Sequence, residues 1–398
     1  MITFDEASRR LAELARPLDV EAVALELAWN RVIARPVAAS RTAPLQAAAA
    51  MDGYAVREAD LCGGGPARLR VVGERFAGGI MDETPLPSQG CVRIFTGAPM
   101  PLGADRVVIQ EDVVREDDEV RFLAPLSVSP RHVRAPGSDH HAGDVLLERG
   151  AVLTPQALVT AAAADCALVE VYRRPRVVIL CTGDELVSPG RAANAPGQIP
   201  ESVSFGVSAL ARAWGGDVVS CRRLSDDLGV LQKAASLALE DANVIVTTGG
   251  ASVGERDLAK AMFAPFGLKL AFEKVAIKPG KPVWLGQVGD RIVLGLPGNP
   301  SAAMIAARLF LAPLLSGLVG RGAGAALPWR FETVSEALPC ADERETFLRA
   351  SRSAEGVRPL GNQDSSVQRE LAATEALIRR PAGAAALAAG MPAHVLTF

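Results

Sequence analysis

Two segments of the same form, both between residues 242 and 302, constrain the fold more than any other feature of this sequence. The first reads ANVIVTTGGASVGERDLAK and the second ends RIVLGLPGNPSA. Val244, Ile245 and Val246 form a short apolar β-branched run, the pattern of a strand buried in a parallel sheet. That run passes directly into Thr247, Thr248, Gly249 and Gly250. Glycine at a strand's carboxyl end accepts positive φ and lets a ligand or a second backbone come close. Beyond Ser252 and Gly254, Asp257 opens a helix expected over 257–266. The second strand, 292–296, stops at Pro297-Gly298-Asn299-Pro300, and a helix over 301–315 follows. Two such units aim helix amino ends and free N–H groups at one place, which makes an anion site. Gly/Pro turns also serve as plain punctuation in α/β chains. Here Ser252, Asp257, Lys278, Lys281 and Asn299 crowd the same loops, and ligands gather outside the carboxyl ends of a parallel sheet.

At 398 residues the chain has room for roughly two to four domains. Hydrophobic residues at 49% and charged residues at 22% supply a large core and argue against global disorder. A net charge of −3 removes the electrostatic case for nucleic acid as a main partner. The cysteines at 62, 91, 166, 181, 221 and 340 show no CxxC and no histidine at metal-ligand spacing, so they read as buried free thiols in a reducing cytosol. The start, MITFDEASRRLAEL, reads as an amphipathic helix rather than a signal peptide. No apolar run is expected to reach the ~20 residues of a membrane span. The expectation is a soluble, cytoplasmic protein with no membrane and no nucleic acid among its partners.

Along the chain, a helix is expected over 4–14 and a second one from 24–28 to just before Pro36, followed by a linker over 40–50. Asp52 and Gly53 then sit at a turn before a strand, where Asp52 also suits a local turn-forming role. Over 68–128 short strands broken by Gly and Pro suggest a small β-domain, with Thr96-Gly97 at a strand-to-turn junction. Asp139 and Asp144 bracket His140 and His141, but adjacent histidines rarely face one ion, so no His-ligated metal is expected. A helix over 154–167 has Thr154 as N-cap and Pro155 at its first position. Thereafter strands 168–172, 177–181 and 217–221 and helices 203–214 and 228–240 alternate, which argues a three-layer α/β domain with a mainly parallel sheet over 176–320. Glu185 falls at a strand's carboxyl end and Asp226 after the next strand; both positions also suit helix caps. An Ala/Gly linker at 322–326 leads to short strands beyond Pro328, a small β-barrel.

Taken together, AMDGYAV, RIFTGAPMPLGAD, CTGDEL, TTGGASVGERD, KVAIKPGKP and GLPGNPSA, in this order and spacing, resemble the MoeA family over essentially the whole chain. These are the molybdopterin molybdenumtransferases, or molybdenum insertases, also seen as the E-domain of gephyrin. The resemblance implies a multidomain α/β plus β architecture. A segmented helical domain (1–45 and 140–175) carries an inserted β-domain (46–139), a MogA/MoaB-like α/β molybdopterin-binding domain follows (176–320), and a C-terminal β-barrel closes the chain (328–398). It also implies a homodimer, with the first domains of one subunit facing the α/β domain of the other.

The implied reaction inserts molybdenum from molybdate into adenylylated molybdopterin and releases AMP, assisted by Mg²⁺. A MogA-type adenylyltransferase stands upstream, and molybdoenzymes or their chaperones downstream. Carried onto this sequence, the family's functional positions fall on Asp52, Thr96 and Asp139 in the N-terminal part. They fall on Glu185, Asp226 and Asp257 for Mg²⁺ and phosphate chemistry, and on the lysines Lys274, Lys278 and Lys281. Substrate contacts fall on Gly249, Gly250, Ser252, Gly254, Pro297, Gly298, Asn299, Pro300, Arg349 and Ser365. Physically, glycine turns and helix amino ends suit oxyanions, lysines act as mobile point cations, and a hard divalent cation wants carboxylates. The chain departs from the family pattern at Ala47 to Ala50, at Ser138 in place of an acid, at Val203, and at Asp364 in place of a glycine, where an acid would repel an anion. A divergent carrier that binds the pterin without inserting metal is therefore the second reading. The retained acids Glu185, Asp226 and Asp257 favour the enzyme.

Overall fold

The computed structural model describes residues 1–61, 67–79, 84–123, 131–194, 196–249 and 258–398, which form two compact units. One comprises Met1–Arg35, Arg149–Thr154 and Glu170–Phe398; the other comprises Pro36–Glu148 and Pro155–Val169.

The first unit is built around a six-stranded sheet in the order Asp217–Leu224, Arg176–Thr182, Val244–Thr248, Arg291–Leu296, Trp284–Val288, Lys269–Glu273. The first four strands are parallel. Trp284–Val288 runs antiparallel to both its neighbours; the tight turn at Gly289-Asp290, with Gly289 at φ 56°, joins it to Arg291–Leu296 as a hairpin, and Lys269–Glu273 pairs with its other edge. The expected parallel sheet thus carries a two-stranded antiparallel edge. Alternate residues of the central strands face opposite sides, as strand geometry requires. Val177, Ile179, Val244, Val246 and Leu294 face a core shared with Phe4, Leu11, Val207, Phe310 and Leu314. Val178, Leu180, Ile245 and Val293 face a second core with Leu231, Ala235, Met262 and Phe263. The result is three layers, helix on sheet on helix.

Helix Phe4–Leu14 starts at Thr3, whose hydroxyl accepts the Glu6 N–H at 3.2 Å, and it buries Phe4, Ala7 and Leu11. Phe4 meets Phe310 and Phe347 edge-on, with centroids 5.7 and 5.1 Å apart. The apolar helix Pro300–Leu318, at 19 residues, is long enough to cross a membrane, which corrects the expectation that no such run exists. It is 94% buried inside the protein and so is a core helix. Its middle, Ala307–Leu311, is a π-turn that precedes Pro313, and the wider turn accommodates a proline that has no N–H to give and whose ring crowds the preceding carbonyls. The helix expected from 24–28 onward is not formed. Val20–Ala24 is a strand paired with Leu168–Tyr172, followed by one 3₁₀ turn, Leu25–Leu27, so a long-range pairing overrides the local pattern.

The carboxyl-terminal part links Glu345–Ser353, Ala376–Arg380, Pro392–Thr397 and Arg330–Thr333 in one sheet, with Gly356–Pro359 beside Glu345–Ser353. A bridge between Val334 and Val357 links the residue after Arg330–Thr333 to Gly356–Pro359 and closes a small barrel around Val334, Leu338, Val357, Ile378 and Val395. Strand Ile277–Lys278 adds to its edge, parallel to Glu345–Ser353.

The second unit holds a six-stranded sheet, Arg106–Ile109, Gly53–Val56, Gly90–Ile94, Arg68–Arg75, Glu119–Phe122, Val113–Glu116. Only Arg68–Arg75 and Gly90–Ile94 run parallel within it. Helix Pro155–Ala163 is shorter than the 154–167 expected; Asp165 takes φ 61°, a left-handed conformation that ends the helix.

Candidate functional site

The carboxyl ends of the central strands of the first unit meet backbone to backbone. Gly249 leaves Val244–Thr248 with φ 87°, and a Cβ there would sit 2.4 Å from the Thr182 carbonyl oxygen. A Cβ on Gly298 would sit 3.4 Å from the Gly249 Cα. No side chain fits at Gly249, which is why the sequence needs glycine there. Within CTGDEL nothing in the sequence marks Thr182, the residue whose carbonyl meets Gly249. Its Oγ1 is buried and has no hydrogen-bond partner at this junction. Gly250, Ser252, Gly254 and Asp257 lie outside the described residues.

Three acids gather beside that junction. Glu185 folds back over Gly183, where a Cβ would lie 2.7 Å from a Glu185 carboxylate oxygen. Asp184 accepts the Asp226 N–H at 3.1 Å and so ties the two acidic loops together. Burial, then the negative charges of Asp184 and Glu185, push the Asp226 carboxyl above its ordinary range. The alternative of Asp226 as a helix cap is excluded: Asp227 takes that role, its Oδ1 accepting the Val230 N–H at 2.9 Å. Asp184 lies inside the TGDEL motif, and its tying role is set by a residue 42 positions away. Among the described residues no group of three or more His, Cys, Asp or Glu side chains is arranged to hold a metal.

The lysines Lys274, Lys278 and Lys281 are all exposed. Lys274 adopts φ 59°. Lys278 Nζ lies 2.5 Å from Asp342 Oδ2, and this partner holds the Asp342 carboxyl below its usual range. Asp342 carried no sequence motif that would have marked it.

Asn299 stands at the N-cap of Pro300–Ala306, yet its Nδ2 donates outward to Ser365 Oγ at 2.9 Å, and the Ser301 N–H donates to the Ser365 carbonyl at 3.1 Å. Arg349 is fully buried. Its guanidinium donates to the carbonyls of Asn362 (2.6 Å), Asp364 (3.0 Å) and Val367 (3.1 Å) and to Ser301 Oγ. Gln363 braces the same residue, accepting the Arg349 N–H and donating to its carbonyl, each at 3.0 Å. Arg349 thus clamps the 362–367 loop onto the Pro297-Gly298-Asn299-Pro300 turn. Asp364 has turned its carboxylate onto the Ser366 N–H (2.8 Å) and hydroxyl (2.6 Å), which hold it below the usual range.

In the second unit, Asp52 Oδ1 accepts both the Thr96 N–H (2.7 Å) and the Thr96 hydroxyl (2.8 Å). These bonds hold its carboxyl below the usual range. The sequence reading of Asp52 as a local turn former is replaced by a long-range pair with Thr96. Asp139, 73% exposed, has Oδ2 3.3 Å from Nδ1 of His140, whose Nε2 is buried without a partner. Of the cysteines, Cys91 and Cys181 are buried, while Cys221 and Cys340 are exposed; Cys62 lies outside the described residues.

Comparison with known proteins matches the chain in three consecutive regions. Residues 2–164 match the MoeA N-terminal region (domain I and II), 178–317 a probable molybdopterin binding domain, and 333–398 the MoeA C-terminal region (domain IV). A molybdopterin molybdenumtransferase of Haemophilus influenzae is 38% identical over 322 residues, spanning 81% of this chain and 78% of that one. One of Nostoc is 33% identical over 389 residues, spanning 95% and 88%. The crystal structure of a molybdopterin biosynthesis moeA protein from Pyrococcus horikoshii superposes over the whole of both chains with a TM-score of 0.85 at 24% identity, which shows the same fold. With identity at this level over most of its length, and with all three regions matched in order, the chain belongs to the MoeA family.

Proposed function

We propose that this chain is the transferase of molybdenum cofactor biosynthesis that inserts molybdenum from molybdate into adenylylated molybdopterin and releases AMP. The observation that carries the reading is the meeting of the strand ends at Thr182, Gly249 and Gly298 beside the acids Asp184, Glu185 and Asp226. The glycine turns offer N–H groups to oxyanions, and the acids sit next to them at the ends of the same strands. Burial, and after it the charges of Asp184 and Glu185, disfavour the charged Asp226 carboxylate, and a divalent cation would offset both, so the residues fit Mg²⁺ in charge. Glu185 and Asp226, with Asp257, would hold it; when bound, the ion offsets charge on phosphate oxygens.

In this reading Lys274, Lys278 and Lys281 neutralise pterin phosphate and molybdate, Asn299 and Ser365 bound the anion turn, and Arg349 holds that turn in shape. Gly250, Ser252, Gly254, Pro297 and Pro300 complete the loops. Asp52, Thr96 and Asp139 attend the adenylylated substrate from the β-domain. The protein would work in the cytoplasm as a homodimer, receiving substrate from a MogA-type adenylyltransferase and passing product to molybdoenzymes or their chaperones. The four-part division of the chain stated above goes with this reading.

Purified protein given adenylylated molybdopterin, Mg²⁺ and molybdate should release AMP in amounts matching cofactor formed. Binding of the substrate without AMP release would instead identify a carrier.

A further inference from the structure

We propose that the β-domain carries a stacking platform for the adenine of the adenylylated substrate, with Phe76 as its outer face. Strands Arg68–Arg75 and Gly90–Ile94 are parallel neighbours with Arg75 opposite Ile94, so the chain leaves both at the same level, at Phe76 and Phe95. The two rings stack there, with centroids 4.7 Å apart and planes inclined by 9°. Arg93 continues the stack. Its guanidinium carbon lies 4.8 Å from the Phe95 centroid and 5.1 Å from that of Tyr54, its cross-strand partner. Gln110 accepts from Arg93 at 2.7 Å and the Gly53 carbonyl at 3.2 Å, which fixes the guanidinium plane. Tyr54, Arg93, Phe95 and Phe76 therefore form one ladder. Phe95 is the ring stacked on Phe76, and Phe76 is still 57% exposed, which leaves ring surface for a flat ligand.

The surroundings select the occupant. Thr96 follows Phe95 directly and holds Asp52 through two hydrogen bonds, so a charged carboxylate stands beside the platform. That charge disfavours a phosphate and favours an uncharged ring bearing a donor, such as adenine with its amino group. The inference rests on the proposed function, in which the substrate carries an adenylyl group and so brings a flat, uncharged ring with an amino donor.

The test uses 2-aminopurine riboside 5′-monophosphate, whose fluorescence is quenched on stacking, together with turnover of adenylylated molybdopterin. The wild type should quench it saturably. Phe76→Ala should bind it about tenfold more weakly and lose the quenching, and Phe76→Tyr should restore both. The KM for adenylylated molybdopterin should rise in parallel, while molybdopterin lacking the adenylyl group binds as before. Because Phe76 is exposed, Phe76→Ala should melt like the wild type, which separates a lost contact from a lost fold. Unchanged quenching in Phe76→Ala overturns the platform. So does an equal loss of non-adenylylated molybdopterin, which would seat the pterin there. A wild type that quenches the nucleotide but neither binds nor turns over adenylylated molybdopterin would sink the proposed function while supporting a nucleobase platform. Turnover without any quenching would sink the platform alone.

Discussion

Asp226 and Lys278 show how single charges are set by partners far along the chain. The Asp226 carboxyl is raised by burial and by Asp184 and Glu185, so its charged form is disfavoured in the folded protein. A raised carboxyl destabilises the fold once pH passes the ordinary carboxylate range and contributes nothing below it, where folded and unfolded forms are both neutral. Asp226→Asn should therefore raise Tm by about one degree at pH 8 without Mg²⁺, show no gain at pH 3, and abolish AMP release. Differential scanning fluorimetry at both pH values, paired with the AMP assay, checks this; a variant that melts the same at pH 8 would show that neither burial nor the neighbouring acids penalise the charged Asp226. Lys278 is held at 2.5 Å by Asp342 on the barrel, and an incoming oxyanion competes with that carboxylate. Lys278→Ala should weaken molybdate or pterin binding about ten- to a hundredfold, the effect of losing a charge-assisted contact. Asp342→Asn should leave binding as strong or stronger. A loss on Asp342→Asn, measured by calorimetric titration with molybdate, would make Asp342 part of the site instead of a competitor for it.

Between elements, the clamp at Arg349 joins the barrel loop 362–367 to the amino end of helix Pro300–Leu318. Its guanidinium is buried without a carboxylate among its hydrogen-bond acceptors, and burial lowers its affinity for its proton. Arg349→Met keeps most of the volume but leaves buried carbonyls without donors, each at a cost of about 1–3 kcal/mol. The expected total loss is about 2–4 kcal/mol in urea denaturation, with some carbonyls recovering water. Because the clamp shapes the anion turn, molybdate binding should weaken more than binding of a nucleotide. A variant as stable as wild type would mean that the loop holds its shape without the arginine.

For the whole molecule, the family resemblance implies that each site takes residues from two subunits. Asp52→Ala and Asp257→Ala proteins should each be inactive. If residues from two subunits build each site, mixing them should restore activity. Random exchange puts about half of all dimers in the mixed class, and each mixed dimer has one intact site of two, so about a quarter of wild-type activity should return. Mixed dimers with no activity above the single variants would exclude the shared site.

The sequence by itself determined the three-layer arrangement around the glycine turns. Runs such as Val177 to Cys181 and Val244 to Val246 are too apolar to sit anywhere but between two layers, and Gly249 has a conformation only glycine takes easily. The acids and lysines of the proposed site were nominated by the sequence as well, because those residue types stand in ordered motifs. Pairings set by distant contact were hidden in it. The strand Val20–Ala24 needed Leu168–Tyr172 beside it, and the 19-residue apolar helix Pro300–Leu318 became a core element only once the sheet and Phe4 covered it. Asp52 found Thr96, Asp184 found Asp226, and Arg349 turned from an expected ligand contact into a clamp, each through partners that lie between 13 and 48 residues away. Local propensity and motif order are written in neighbouring residues; the partner that satisfies a buried polar group is chosen by the fold, because only the packed chain removes the water that would otherwise serve.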